Sequence, residues 1–187
     1  IEFYGLEPGR KTVLITGGSL GAGTLNKAML KSLDFFARRE DVQVLWQCGS
    51  YYYENLEKET AGKLPSNVKL TAFLKRMDLA YACADVVVAR AGAGTISELC
   101  LLEKAALLIP SPNVAEDHQT KNAMALVNKG AAVMLKDSEA EEKLLEMLRG
   151  LLEDDNRRET LQRNIGKLAI RDSDEAIAKE ILKIINK

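Results

Sequence analysis

The chain reads as an α/β protein with a Rossmann-like, doubly wound, six-stranded parallel sheet. Three observations predict this. Short apolar runs recur at Lys11–Thr16, Val42–Gln47, Val68–Thr71, Val86–Val88, Ala105–Ile109 and Ala131–Leu135, as expected of strands covered on both faces. Segments of helical composition separate them, which requires right-handed crossovers between parallel strands. Glycine-rich turns follow the first and fourth runs, and in the strand order 3-2-1-4-5-6 those two strand ends are neighbours at the switch point, facing one cleft.

The 187 residues, 47% hydrophobic and 28% charged, suit one globular domain with a helical tail from about residue 154 to 187. Lys plus Arg total 26 against 27 Asp plus Glu, a net charge of -1, so charge gives no case for nucleic acid as a partner. Cys48, Cys83 and Cys100 are an odd number without CxxC or Cys/His ligand spacing. They are expected to be reduced, small core or near-core side chains of a cytosolic protein. No apolar run approaches the roughly 20 residues of a membrane span and no signal peptide is visible, so any membrane contact is expected to be peripheral. The first residue is Ile1 and a strand follows almost at once, which reads as a piece of a longer protein.

Strand one, Lys11–Thr16, leads into the turn GGSLGAG (17–23) and a helix from about Thr24 to Arg38. This is the opening half of a βαβ unit. Its glycines do not fit GxGxxG in register, and strand two ends Trp46-Gln47 without an acidic residue, so a nicotinamide dehydrogenase is disfavoured. Ser19 has two readings: a hydroxyl for a phosphate or sugar, or a turn residue bonding its own backbone. A polar helix follows strand two through about Lys63, starting in Tyr51, Tyr52 and Tyr53, which either line a site or cover the sheet edge. After strand three come Phe73 and Leu74, read either as buried residues or as a place for a base to stack, and then a short alanine-rich helix over Met77–Ala84.

The central stretch is ADVVVARAGAGTISE, residues 84–98: a strand, a glycine-rich turn and the start of a helix expected to end near Glu103. Gly92, Ala93 and Gly94 let a ligand approach the backbone, and the unpaired amides of a helix start favour an anion such as a diphosphate. Glu98 lies about one turn in, where a carboxylate suits the vicinal hydroxyls of a ribose. A second reading stands beside it, because Thr95-x-x-Glu98 is also a capping box. Strand five is stopped by Pro110-Ser-Pro112, and the stretch DHQTKNA (117–123) offers Asp117 as N-cap of a helix to about Asn128. His118, the sole histidine, and Gln119 then fall in its first turn, beside the strand ends. Strand six precedes a second capping box, Ser138-x-x-Glu141; another helix restarts near Asp154; and an amphipathic stretch closes the chain from Asp172 to Asn186.

Three motifs in this order, GGSLGAGTLN (17–26), ADVVVARAGAGTISEL (84–99) and DHQTKNA (117–123), resemble the carboxyl-terminal half of the MurG family over essentially the whole chain. Members of that family transfer N-acetylglucosamine from its UDP conjugate. The resemblance implies one half of a GT-B fold, the domain that binds UDP-N-acetylglucosamine, with no cofactor. Carried over residue by residue, it implies that Gly18 and Ser19 approach the diphosphate, that Leu74 meets the uracil edge through its backbone with Phe73 beside it, and that Ala93, Gly94 and Thr95 hold the diphosphate. Glu98 would bind the ribose hydroxyls, and His118 and Gln119 the sugar.

The implied reaction is inverting transfer to the C4 hydroxyl of undecaprenyl-diphosphate-linked N-acetylmuramyl-pentapeptide in peptidoglycan synthesis. The lipid-linked acceptor, the catalytic base and the peripheral membrane contact at the inner face of the bacterial cell membrane belong to an amino-terminal domain absent from this chain. No catalytic residue is therefore expected here, and the domain alone is expected to bind donor weakly and transfer nothing. Without DxD or a similar carboxylate pair, no metal is expected to be held by it. Leu20 and Gly23 depart from the Gln and Arg usual in the family's first turn. Two other functions remain at this point: a subunit of another GT-B transferase using a UDP-sugar, and a non-catalytic nucleotide-sugar-binding protein.

Overall fold

A computed structural model describes residues 1–185. Six strands form one sheet in the order β3-β2-β1-β4-β5-β6, every pair parallel. They are β1 (Lys11–Thr16), β2 (Val42–Gln47), β3 (Val68–Thr71), β4 (Val86–Ala89), β5 (Ala105–Leu108) and β6 (Val133–Met134). The helices are α1 (Gly23–Ala37), α2 (Ser50–Thr60), α3 (Met77–Cys83), α4 (Ala93–Leu101), α5 (His118–Val127), α6 (Ala140–Glu153), α7 (Asp155–Gly166) and α8 (Ser173–Ile185). The expected fold class and strand order are both present.

The sheet is buried on both faces because successive side chains of each strand enter different cores. Val13, Ile15, Val44, Trp46, Val86, Val88 and Leu107 pack with Leu25, Met29 and Phe36 of α1 and Leu144 and Leu148 of α6. Leu14, Leu45, Val87, Ala106 and Leu108 pack with Ala80 and Tyr81 of α3, Leu99 of α4 and Leu126 of α5. Register brings Thr16, the last residue of β1, beside Ala89, the last of β4. The loops leaving these central strands therefore emerge side by side.

Several local expectations are corrected. Helix α4 begins two residues before Thr95, with Gly92 as N-cap and no side-chain cap, so the Thr95–Glu98 capping box is not formed. Asp117 occupies the N-cap position of α5 but lies in the left-handed region at φ 50° and makes no side-chain cap bond. A 3-10 turn over Asp137–Glu139 precedes α6, whose N-cap is Glu139 without a side-chain bond. The Ser138–Glu141 box therefore does not form either, and the Glu141 carboxylate instead pairs with Lys31 at 2.9 Å. Strand six is cut to two residues. The helix expected near Asp154 does start there, with the Asp154 carboxylate accepting from the Arg157 amide.

Within the stretch expected as a helical tail, α7 is integrated into the body through Leu161 and Ile165. Helix α8 buries no residue, leaving Ile177, Ile181, Leu182, Ile184 and Ile185 exposed. The final part of the expected amphipathic stretch, at Asn186, lies outside the described residues.

Candidate functional site: a cleft at the switch point

A cleft of about 820 Å³ opens where the loops after β1 and β4 meet, and loops after β2, β3 and β5 complete its wall. This is the crevice outside the carboxyl ends of the strands in which open α/β sheets bind ligands.

The rim after β1 is made of backbone. Gly21 has φ +81°, and a Cβ placed on it would lie 2.0 Å from the Cys48 carbonyl oxygen. Gly49 has φ +91°, and a Cβ there would lie 2.4 Å from the Gly21 amide nitrogen and from the Leu20 carbonyl oxygen. The two glycines thus let the turns after β1 and β2 lie flat against one another. Gln47, at the end of β2, clamps them. Its Oε1 accepts from the Thr16 hydroxyl at 2.6 Å, while its Nε2 donates to the carbonyls of Gly18 at 2.9 Å and Ala72 at 3.1 Å. Beneath, the Cys48 thiol is fully buried, and burial pushes its pKa up to about 11. The side chains on the rim itself, Ser19 and Leu20, are exposed.

The opposite rim is held by side chains. Gln119, in the first turn of α5, accepts on Oε1 from the amides of Ala91 at 3.2 Å and Ser111 at 2.9 Å, so one carboxamide oxygen joins the loops after β4 and β5. Asn122, one turn later, donates to the Ala91 carbonyl at 3.0 Å. Arg90 leaves β4 and donates to the carbonyls of Ile109 at 3.0 Å and Pro110 at 3.2 Å, and it pairs with Asp137 at 2.5 Å. The other Asp137 oxygen accepts from the Thr24 hydroxyl of α1 at 3.0 Å. Arg90 and Asp137 are mostly buried. Their pairing makes the guanidinium a strut between loops, its charge balanced within the wall.

Between the rims stands the start of α4. With no side-chain cap, its first amides have no side-chain partner, and hydrogen atoms alone cover Gly92 and Gly94: a Cβ at either would meet nothing within 4 Å. Unpaired amides and the positive end of the helix dipole face open space there, an arrangement that favours an anion. Glu98, one turn further on, is exposed, and its Oε2 accepts a hydrogen bond from the Tyr81 hydroxyl at 3.0 Å.

Residues 12–180 match the glycosyltransferase family 28 C-terminal domain. The chain belongs to this family. It is 53% identical, over an aligned span of 188 positions that covers 100% of the chain, to a Parabacteroides distasonis protein named UDP-N-acetylglucosamine--N-acetylmuramyl-(pentapeptide) pyrophosphoryl-undecaprenol N-acetylglucosamine transferase. It is 50% identical over 186 residues to the protein of that name from Bacteroides thetaiotaomicron. In each case it spans about 50% of the relative's length. Among solved structures, the crystal structure of Acinetobacter baumannii MurG superposes with a TM-score of 0.81 at 29% identity, covering 93% of this chain and 52% of that one. The fold is thus one half of a GT-B architecture.

In this family 28 domain, Gly18, Ser19, Phe73, Leu74, Thr95, Glu98 and Gln119 all line the cleft. Phe73 is 54% exposed whereas Leu74 is buried. Ala93 and Gly94 form the first turn of α4 between the lining residues Gly92 and Thr95, and are not themselves in the lining. His118 is not brought into the lining: it is exposed, with Nδ1 2.9 Å from the Ala115 carbonyl oxygen. Of the three tyrosines, Tyr52 lines the cleft, Tyr51 is exposed, and Tyr53 donates to Glu57.

Sequence reasoning missed Gln47, Tyr81, Arg90 and Asp137. Arg90 had a local signal, a lone charge between an apolar strand and a glycine turn. The other three had none, because their partners are far away in the chain. Among the described residues no three His, Cys, Asp or Glu side chains converge as a metal site, and no helix is long and apolar enough to cross a membrane.

Proposed function

We propose that this domain binds UDP-N-acetylglucosamine as the donor half of a two-domain inverting transferase. The enzyme would move N-acetylglucosamine to the C4 hydroxyl of undecaprenyl-diphosphate-linked N-acetylmuramyl-pentapeptide, at the inner face of the bacterial membrane. The observation that carries this reading is the uncapped, glycine-covered start of α4 with Glu98 one turn behind it. In it, the amides of Ala93, Gly94 and Thr95 receive the diphosphate, with Gly18 and Ser19 on the facing rim. Glu98 accepts from the ribose hydroxyls, and the Leu74 backbone beside Phe73 receives uracil. Gln119 uses its oxygen to hold the wall, which leaves its Nε2 to donate to the sugar. His118, outside the lining, makes the smaller contribution.

As the C1–oxygen bond breaks, negative charge grows on the departing diphosphate. Fixed amide dipoles aimed at that charge stabilise it without reorganising, since their orientation is set by the fold. The acceptor site, catalytic base and membrane contact are assigned to the portion of the protein that the relatives carry in addition, so this domain alone binds donor and transfers nothing.

Calorimetric titration with UDP-N-acetylglucosamine, UDP-glucose and UDP tests the assignment. Removing a hydrogen-bond partner as strong as a carboxylate costs about 1.5–3 kcal/mol, so Glu98→Ala is expected to weaken all three ligands roughly 10- to 100-fold. A folded Glu98→Ala domain that binds UDP as tightly as the parent would refute the donor-site assignment.

A further inference from the structure

Among the groups lining the cleft, Tyr81 has a chemistry that the reading above leaves unused. It lies on α3, seventeen residues before Glu98, and is 2% exposed. A buried phenol needs a hydrogen-bond partner, and Tyr81 donates to Glu98 Oε2 at 3.0 Å. Glu98 itself is exposed to the cleft. A carboxylate on an exposed helical position ordinarily samples many rotamers, with a broad final torsion. This one is tethered by a buried donor on a neighbouring helix, which holds one of its two oxygens while the residue lines the cleft.

We propose that Tyr81 is a positioning residue that fixes the Glu98 carboxylate for a vicinal diol, and thereby makes the site select ribonucleotide over deoxyribonucleotide ligands. This rests on the reading of Glu98 as the ribose acceptor. A diol presents two hydroxyl donors, and a carboxylate meets both only when its plane is aimed at them; the tether sets that plane before the ligand arrives, so less freedom is lost on binding. The hydrogen bond is charge-assisted. Burial, followed by the Glu98 charge, holds the phenol well above its ordinary pKa, so Tyr81 keeps its proton where an ordinary tyrosine would lose it.

The test is titration of the chain and its variants with UDP and with 2′-deoxy-UDP. Tyr81→Phe removes one oxygen and is expected to weaken UDP about tenfold while changing 2′-deoxy-UDP by less than about twofold, so the preference for ribose narrows. In a Glu98→Ala background it is expected to add nothing. Equal weakening of both nucleotides, or unchanged UDP affinity, overturns the proposal while a weakened Glu98→Ala leaves the ribose reading standing. If Glu98→Ala itself binds UDP normally, that reading falls and the proposal with it. Glu98→Asp supplies a second variant that leaves the Tyr81 side chain intact: it keeps the charge but withdraws the carboxylate from the phenol, and it is expected to narrow the preference as Tyr81→Phe does. Full ribose preference in folded Glu98→Asp overturns the proposal.

Discussion

The rim after β1 keeps its shape by backbone lying against backbone at Gly21 and Gly49, whereas the rim after β4 and β5 is pinned by long side chains, Arg90, Gln119 and Asn122. The two face each other across one cleft, yet they respond to change differently. Close-packed backbone has no rotamer to move, so any added atom displaces a whole turn. A side-chain strut can be removed, and the loops it joined then lose hydrogen bonds one at a time.

The sharpest way to break this contrast is Gly21→Ala. Its Cβ would fall 2.0 Å from the Cys48 carbonyl oxygen at φ +81°, and the expected loss exceeds about 3 kcal/mol in urea denaturation. Gly18→Ala is the control: it shares the positive φ, at +83°, but meets nothing within 4 Å, and should cost only about 1–2 kcal/mol. Equal losses would mean that dihedral strain, not backbone contact, dominates at this rim.

Gln119→Ala probes the other rim and is expected to cost about 2 kcal/mol, because it strips the acceptor from the Ala91 and Ser111 amides. Binding of UDP-N-acetylglucosamine should weaken as well. A stability equal to the parent's would show that water replaces the carboxamide, and that this wall is not pinned as described.

The smallest expected effect is a pH dependence beneath the glycine rim. The Cys48 thiol is pushed from its ordinary value of 9.0 up to about 11 in the fold. The unfolded chain therefore releases this proton first. The stability contributed is fully present below pH 9 and declines as pH rises toward 11. Urea midpoints taken between pH 8 and 11 should fall for the parent more than for Cys48→Ala; parallel curves would place the buried thiol outside this balance.

The two glycine-bearing motifs, after β1 and β4, were legible as cleft-facing turns because their signal is local: apolar strand, small residues, helix start. The capping boxes misled for the opposite reason. Thr95–Glu98 and Ser138–Glu141 have the right spacing, but α4 begins two residues before Thr95 and α6 after a 3-10 turn, so the side chains stand at the wrong depth to cap. Asp117 sits at the right position with the wrong backbone. Spacing specifies which groups are able to meet, and the surrounding packing decides the turn in which the helix starts.

Helices α6 and α8 mark the same boundary. Both carry an apolar stripe, yet Leu144, Leu148, Leu151 and Leu152 of α6 are buried against the sheet and α1, while α8 buries nothing among the described residues. By itself the sequence determined the alternation of strands and helices, the central place of β1 and β4, and the glycine turns at their ends, because burial on both faces and crossover handedness act over a few residues or one βαβ unit. The tertiary structure alone decided that Tyr81 holds Glu98, that Arg90 meets Asp137 forty-seven positions away, and that Gln47 clamps the first turn. Each is a hydrogen bond or ion pair between separate elements, and its existence depends on ångström-scale placement that no local pattern encodes.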